Sequence, residues 1–178
     1  MQRLLNSKIR FPEFNDDWKE TKLEKLVFFQ EGPGVRNNQY TKNGIKLLNV
    51  GNLNNNRLNL NSTSTYISKE EAYGKYKHFL VNDGDLLISC SGISSESFKD
   101  KIAFAKEKHL PLCMNTSTMR FRNIDNNLNL KYLYYFFQTL NFEKQVLKIL
   151  TGSAQFNFGP THIKWFNIPL PSLKEQEK

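Results

Sequence analysis

GSAQFNFGPTHIKWFNIPLPSLKEQEK, residues 152–178, is the most informative part of this chain. It starts as a polar loop suited to facing a ligand and continues as an apolar segment stiffened by Pro169 and Pro171. It ends on charged residues that favour a new helix, an arrangement typical of a domain boundary. We therefore expect one globular domain over residues 1–171 and the beginning of a helix over residues 172–178.

Upstream of this segment, short apolar runs alternate with polar loops. Strands are predicted at residues 45–50, 86–89, 102–105 and 118–122, the last of them half-exposed. A capping box at Ser68 predicts a helix to about Lys77, and an apolar face predicts a longer helix that starts near Asn129 and breaks at Asn141. Residues 18–29 fit a short helix or a helix followed by a strand. The predicted fold class is mixed α/β (α+β), with a small twisted sheet, flanking helices and long polar loops.

The charge balance is the first indication of a partner. Lys and Arg number 25 against 17 acidic residues, which gives a net charge of +8 and a pI near 9.4. The field of such a chain attracts polyanions, and nucleic acid is the natural polyanion. The alternative is that the positive charge serves solubility alone.

The cysteine content and the hydropathy of the chain indicate in which cellular compartment the protein is expected. Cys90 and Cys113 are the two cysteines of the chain, and neither belongs to a C-x-x-C motif. No apolar run approaches the roughly 18 residues that a membrane span requires, and no signal-peptide core follows Met1. These features predict a reduced, cytoplasmic protein.

Catalytic and metal-binding patterns are weak in this sequence. Cys90 and His162 form a conceivable thiol and base, and His109 with Cys113 a conceivable metal pair, but Pro111 separates that pair and further ligands are missing. The glycines near residues 32–34 and 152 lack the other residues of a phosphate-binding loop. The tripeptide at residues 20–22 has the Glu-x-Lys form of some nucleases, and surface charge on a helix explains it better. The sequence predicts neither catalysis nor a bound metal or cofactor.

Polar loops that follow secondary-structure elements supply the candidate binding residues. Arginine matches the major-groove edge of guanine, asparagine and glutamine match that of adenine, and lysine pairs with phosphates. The candidates for base edges are Arg36, Asn37, Asn38 and Gln39, beside the aromatic Tyr40; those for phosphates are Lys42, Lys46, Lys99, Lys101 and Lys164; those for either are Ser89, Ser91, Gln155, Asn157 and Thr161.

Three blocks of sequence resemble the specificity subunits of type I restriction-modification systems. They are Arg10-Phe11-Pro12-Glu13-Phe14 with Trp18 and Leu23, then Gly84-Asp85-Leu86-Leu87-Ile88-Ser89 with Ser91-Gly92, and finally Gly152-Ser153-Ala154-Gln155 to Ile168-Pro169-Leu170-Pro171 with Glu175-Gln176. They stand in the order of that family and span nearly the whole chain. The chain thus resembles a target recognition domain, the first of two in such a subunit.

The resemblance implies a function and a set of partners. Each target recognition domain of the family reads one half of a split double-stranded DNA sequence, and long spacer helices separate the two domains and dock the methylating subunits. Residues 172–178 would begin the first spacer helix. The domain itself would be non-catalytic. S-adenosylmethionine would belong to the methylating (M) subunit, and the restriction (R) subunits would join through it.

Two other functions remain open at this point. The chain could be the DNA-reading domain of another type of DNA methyltransferase. It could also be an RNA-binding module in which Tyr40, Phe156 and Phe158 stack on unpaired bases. A nuclease is a more distant alternative.

Overall fold

The structure is a computed structural model that describes residue 5 and residues 9–91, 98–149 and 157–178. The chain divides into two compact units. The first takes its residues from the ranges 1–29, 122–153 and 158–178, and the second from 30–121 and 154–157. The greater part of the second unit is thus one continuous insertion into the first.

The elements of the described residues are short. The strands are β1 (Lys19–Lys22), β2 (Val27–Glu31), β3 (Ile45–Leu48), β4 (Leu53–Asn54), β5 (Arg57–Leu58), β6 (Tyr66–Ile67), β7 (Leu86–Ser89), β8 (Ile102–Phe104), β9 (Leu112–Met114), β10 (Thr118–Asn123) and β11 (Asn167–Leu170). The helices are α1 (Lys69–Tyr73), α2 (Leu130–Phe136), α3 (Leu140–Ile149), α4 (Pro160–Ile163) and α5 (Leu173–Gln176). Turns of 3-10 helix join several of them. This mixture of short strands, helices and polar loops agrees with the predicted α/β class.

Two sheets organise the second unit. The four-stranded sheet has the order β2-β10-β7-β8, and β7 is antiparallel to both of its neighbours. The three-stranded sheet has the order β6-β3-β9, in which β3 is antiparallel to β6 and parallel to β9. Parallel neighbours need a long crossover connection, and here the chain from β4 to β8 provides it.

Strand β3 separates two apolar clusters because successive side chains of a strand point to opposite faces. Leu48 packs with a cluster that includes Leu53, Leu87 and Leu112. Ile45 and Leu47 pack with the other cluster, formed by Val35, Ile67, Ala72, Tyr76 and Cys113. Burial on both faces explains why Leu47 and Leu48, which point to opposite faces, are both apolar.

Strand β10 is more buried than its alternating sequence predicts. Arg120 is 3% exposed, and its guanidinium donates to the carbonyl oxygens of His78 (2.6 Å) and Leu80 (2.5 Å) and to Oε1 of Gln30 (2.5 Å). A charged side chain can be buried when it is hydrogen-bonded and paired with an opposite charge, and Nη1 of Arg120 also lies 3.7 Å from Oδ2 of the buried Asp85. The half-exposed strand expected at residues 118–122 is therefore right as a strand and wrong in its exposure.

An aromatic core holds the first unit together. The ring of Phe142 lies 4.6 Å from Phe137, 4.8 Å from Phe166 and 5.6 Å from Phe136, measured between centroids, and all four side chains are fully buried. Burial of large aromatic side chains is a strong stabilising contribution. Phe136 and Phe137 lie at the end of α2 and just after it, Phe142 lies in α3, and Phe166 precedes β11.

The long helix predicted from Asn129 is divided earlier than expected. Asn129 caps α2 as predicted, because its side chain accepts a hydrogen bond from the N–H of Lys131 (2.8 Å). The break falls before Leu140, where the hydroxyl of Thr139 donates to the Phe136 carbonyl (2.7 Å). The resulting change of direction leaves Leu140 49% exposed, although the sequence placed it on the apolar face.

Residues 18–29 form two strands and no α-helix. β1 pairs antiparallel with β11, and Glu20 lies opposite Pro169. A 3-10 turn at Leu23–Lys25 then leads to β2. The sequence of this stretch is compatible with a helix when it is considered locally. Its pairing partner, β11, lies near the other end of the chain, and this pairing makes residues 19–22 a strand.

Candidate nucleic-acid interface

A loop in the second unit, residues 32–41, carries the residues predicted to read base edges. It follows β2 and contains a 3-10 turn at Asn37–Gln39. Arg36, Asn37 and Asn38 are exposed, and Tyr40 is 37% exposed. The structure therefore presents three consecutive polar side chains at one turn.

Gln39 fixes one end of this loop. Its Oε1 accepts a hydrogen bond from the backbone N–H of Arg36 (3.1 Å). Its Nε2 donates to Oε1 of Glu71 (2.7 Å) and to the hydroxyl of Tyr76 (3.0 Å). An amide nitrogen has two N–H groups to donate, and both have partners here. Gln39 was predicted to contact bases, whereas these bonds make it a clamp for the turn.

Asn115 fixes the other end, and sequence reasoning missed this residue. It is 3% exposed, and its Oδ1 accepts from the backbone N–H groups of Val35 (3.3 Å) and Thr116 (2.9 Å). Its Nδ2 donates to Oδ1 of Asn49 (2.9 Å) and to the hydroxyl of Tyr40 (3.4 Å). The signal that could have found it is an asparagine placed directly after the buried strand β9.

Gly32 allows the loop to approach Asn115 closely. A Cβ atom built at Gly32 would lie 2.2 Å from the Asn115 carbonyl oxygen, which is far inside van der Waals contact. Any other residue would push the loop away from its anchor. The glycine is thus required by the same contact that orients the loop.

Lysines of this region have different environments. Lys42 is exposed, as a phosphate contact requires. Lys46 is 8% exposed; its ammonium donates to the Thr63 carbonyl and lies 4.5 Å from the ring centre of Tyr66. Lys46 therefore stabilises β3 against β6, and its ammonium group is not exposed to a phosphate.

The predicted serines are linked to Asn157 by hydrogen bonds. Ser89 is fully buried, and its hydroxyl donates to the Ser91 carbonyl (3.2 Å). The hydroxyl of Ser91 donates to Oδ1 of Asn157 (2.6 Å), whose side chain is exposed. The structure thus brings Ser91 and Asn157 together, and it places Ser89 in the interior.

The remaining candidates lie elsewhere. Lys99 and Lys101 are half-buried in the second unit, where the ammonium of Lys101 donates to Oδ1 of Asn54 (3.2 Å). Thr161 and Lys164 are exposed in and just after α4, in the first unit. Gln155 lies outside the described residues.

Comparison with known proteins identifies the family. The sequence profile described as "Type I restriction modification DNA specificity domain" matches residues 15–178. The chain belongs to this family. The resemblance of the three sequence blocks to type I specificity subunits is thereby confirmed.

Two curated relatives from Methanocaldococcus jannaschii are type I specificity subunits. The MjaVIII specificity subunit is 25% identical over 165 residues, which cover 93% of this chain and 38% of the relative. The putative MjaX specificity subunit is 24% identical over 176 residues, covering 96% of this chain and 40% of the relative. The chain thus spans about two fifths of the length of these relatives.

Solved structures of type I systems share the fold. The HsdS subunit of Thermoanaerobacter tengcongensis superimposes with a TM-score of 0.61 at 18% identity, covering 97% of this chain and 38% of that one. A chain from a study of complex assembly and conformational transition in a type I R-M system gives a TM-score of 0.65 at 20% identity, covering 99% of this chain and 40% of that one. At these identities the likeness supports the fold alone.

The first and last blocks of the type I resemblance meet in the first unit. Glu175 is 6% exposed, and its carboxylate accepts from Nε and Nη2 of Arg10 (3.0 and 2.8 Å) and from Nε1 of Trp18 (3.0 Å). The hydrogen bond and charge of Glu175 raise the pKa of Arg10. Gln176 adds bonds to the backbone of Asn127 and Asn129. These family residues therefore fasten the two ends of the chain to each other.

The thiols and imidazoles considered in the sequence have structural roles. Burial and the nearby Glu31 carboxylate raise the pKa of the Cys90 thiol, and burial raises that of Cys113 to about 12, so both thiols stay protonated. Nδ1 of His162 accepts from the Gly159 N–H (2.8 Å), and Nδ1 of His109 accepts from the Lys106 N–H (3.0 Å). Among the described residues, no group of three His, Cys, Asp or Glu could hold a metal.

Two further observations concern membrane-spanning helices and the RNA-binding hypothesis. No helix within the described residues is long and apolar enough to cross a membrane. Phe158 is 2% exposed and packs edge-on against Phe166 at 6.1 Å, so it has no face available for a base. Phe156 lies outside the described residues. The stacking set of the RNA hypothesis thus loses Phe158.

Proposed function

We propose that this chain recognises one half of a bipartite sequence in double-stranded DNA and directs the methylating and restriction subunits of a type I complex to it. In this role it is non-catalytic and acts in the cytoplasm. Family membership, the net charge of +8 and the polar loop at residues 32–41 support the proposal. S-adenosylmethionine belongs to the methylating subunit, which flips the target adenine out of the duplex.

The observation that carries the proposal is the clamped loop. Gln39 and Asn115 hold its backbone, while Arg36, Asn37 and Asn38 project from the turn between them. Arginine makes a bidentate pair with guanine, and asparagine with adenine. A loop that is ordered before binding loses less conformational entropy when it meets DNA. These three side chains are the proposed base-reading residues.

The remaining candidate residues are assigned to contacts with the DNA backbone, and the chain is divided into a recognition domain and the start of a spacer helix. Lys42, Lys99, Lys101 and Lys164 contact phosphates and set the position of the domain on the duplex. Ser91, Asn157 and Thr161 add hydrogen bonds, and Tyr40 packs beside the reading turn. Residues 1–171 form the recognition domain, and residues 172–178 begin the spacer helix.

Mapping methylated adenines tests this function. The chain is placed in a complete specificity subunit, co-expressed with a methylating subunit, and the modified sites are mapped across a genome. Loss of a bidentate pair costs about 1–3 kcal/mol in discrimination. We therefore expect Arg36→Ala to relax the motif at one position of one half-site.

The matched control for this substitution is Lys69→Ala, which removes an exposed cation from α1 in the same unit. The control variant should keep the original motif. An Arg36→Ala variant that methylates the unchanged motif with unchanged selectivity would contradict the role of Arg36.

A further inference from the structure

A β-hairpin in the second unit has a tip made of asparagines. β4 and β5 pair antiparallel, and the connecting residues Asn55 and Asn56 have φ angles of 49° and 56°. Asparagine tolerates this left-handed region better than other residues with a side chain, and it is typical of tight hairpin turns. These two asparagines therefore form a defined hairpin turn.

Hydrogen bonds fix the tip to a second segment, residues 98–101. The backbone N–H of Asn56 donates to the Asp100 carbonyl (2.9 Å). With its amide nitrogen turned inward, the Asn56 side chain donates to the carbonyl groups of Lys99 (2.7 Å) and Ile102 (3.3 Å). Two segments more than forty residues apart in sequence thus form one surface.

The apolar side of the hairpin anchors it to the core. Leu53 is fully buried, and Leu58 packs partly buried against the same cluster, which includes Ala103 and Ala105. A hairpin this short would not be stable alone. Because it is held on its apolar side and at its tip, its backbone has a fixed position from which the outward side chains extend.

Those outward side chains are mostly cationic or amide-bearing. Arg57 is exposed, and no carboxylate pairs with it in the part of the chain that the structure describes. Lys99 and Lys101 flank it from the second segment, where Asp100 is the neighbouring exposed acid. Asn54 and Asn55 add exposed amide groups. Among the described residues, this surface thus carries three cations and one carboxylate, together with exposed amide groups.

We infer that this surface, Asn54 to Arg57 with Lys99 and Lys101, grips the phosphate backbone of the DNA duplex, with Arg57 as its central contact. The inference rests on the proposed function and adds a contact region apart from the base-reading loop. Guanidinium and ammonium groups bind phosphate oxygens strongly. Phosphate oxygens are therefore the ligand that fits these cations, and under the proposed function they are those of the DNA duplex.

The test measures DNA affinity against salt concentration, using the complete specificity subunit assembled with its methylating partner. Each phosphate contact contributes about 0.9 to the slope of log affinity against log salt, which corresponds to roughly tenfold in affinity at 0.1 M salt. We expect Arg57→Ala to weaken binding to cognate and unrelated duplexes about tenfold alike, and to reduce the slope by about one. Arg57→Lys should keep the slope.

The control is Lys108→Ala, an exposed cation of the same unit that lies outside this surface. It should leave affinity and slope unchanged. If Arg57→Ala retains both values while the wild-type complex binds its motif, the hairpin inference fails and the proposed function stands. If the wild-type complex binds no DNA duplex at all, both fail.

Discussion

Both polar atoms of the buried Asn115 amide form hydrogen bonds. The oxygen accepts from Val35 in the loop at residues 32–41, and the nitrogen donates to Asn49, which follows β3. Asn115→Ala would leave the N–H of Val35 and the side chain of Asn49 without this partner, at a cost of about 1–3 kcal/mol. The loop would also lose its fixed position. We expect the methylation motif to broaden at the positions read by Arg36 and its neighbours, as measured by methylated-site mapping.

Asn52 provides the matched comparison for Asn115. It is fully buried in the same unit, and its amide donates to Asn59, Ser62 and Thr63 away from the loop. Asn52→Ala should lower the melting temperature comparably and leave the motif intact. Equal motifs in the two variants would show that Asn115 stabilises the fold without positioning the loop.

Residue roles in the loop were only partly predictable. The polar composition of residues 36–39 indicates a ligand-facing loop, because such side chains match base edges. Gln39, however, has its partners at Glu71 and Tyr76, more than thirty residues away. The burial of Lys46 likewise depends on Thr63 and Tyr66. A sequence pattern shows the chemistry of a side chain. The role of that side chain in the fold depends on the residues that contact it, which can lie far away in the sequence.

At the scale of elements, α5 is fastened to the N-terminal part of the first unit through Glu175. Glu175→Gln removes the negative charge that Arg10 and Trp18 contact, while the side-chain shape is retained. Hydrogen bonds to charged groups are stronger than neutral ones. We expect the melting temperature to fall by about 2–4 °C, as is typical for the loss of one such interaction in a chain of this size. Glu177→Gln, which changes an exposed acid beside the same helix, should have little effect. Equal melting temperatures for the two variants would contradict the role of Glu175.

Helices were predicted correctly where the residues that determine them lie close together in the sequence. Ser68 and Asn129 cap α1 and α2 as their sequences indicate, because a cap bonds to residues two or three positions away. β1 was missed, because its identity comes from pairing with β11. The β4–β5 hairpin was not predicted either. Its tip is held by residues 98–101, which are distant in the sequence.

At the scale of the whole molecule, the chain passes from one compact unit to the other and back within β2 and β10. Most of the second unit is thus one continuous segment, residues 30–121, which contains the loop at residues 32–41 and the β4–β5 hairpin. Moving these residues into another complete specificity subunit of the family should transfer one half-site of the methylation motif. The exchange of residues 122–149 should not. A motif that follows the second exchange would contradict the placement of base reading in the second unit.

The anchors of the loop at residues 32–41 bond mainly to its backbone. Asn115 holds the N–H of Val35, and Gln39 holds the N–H of Arg36. Neither bond depends on which side chains stand at positions 36–38, so those side chains can be replaced while the loop keeps its shape. Under the proposed function, a few substitutions at these three positions would therefore give a new DNA target without changing the scaffold, and a small library confined to the turn would use the same route.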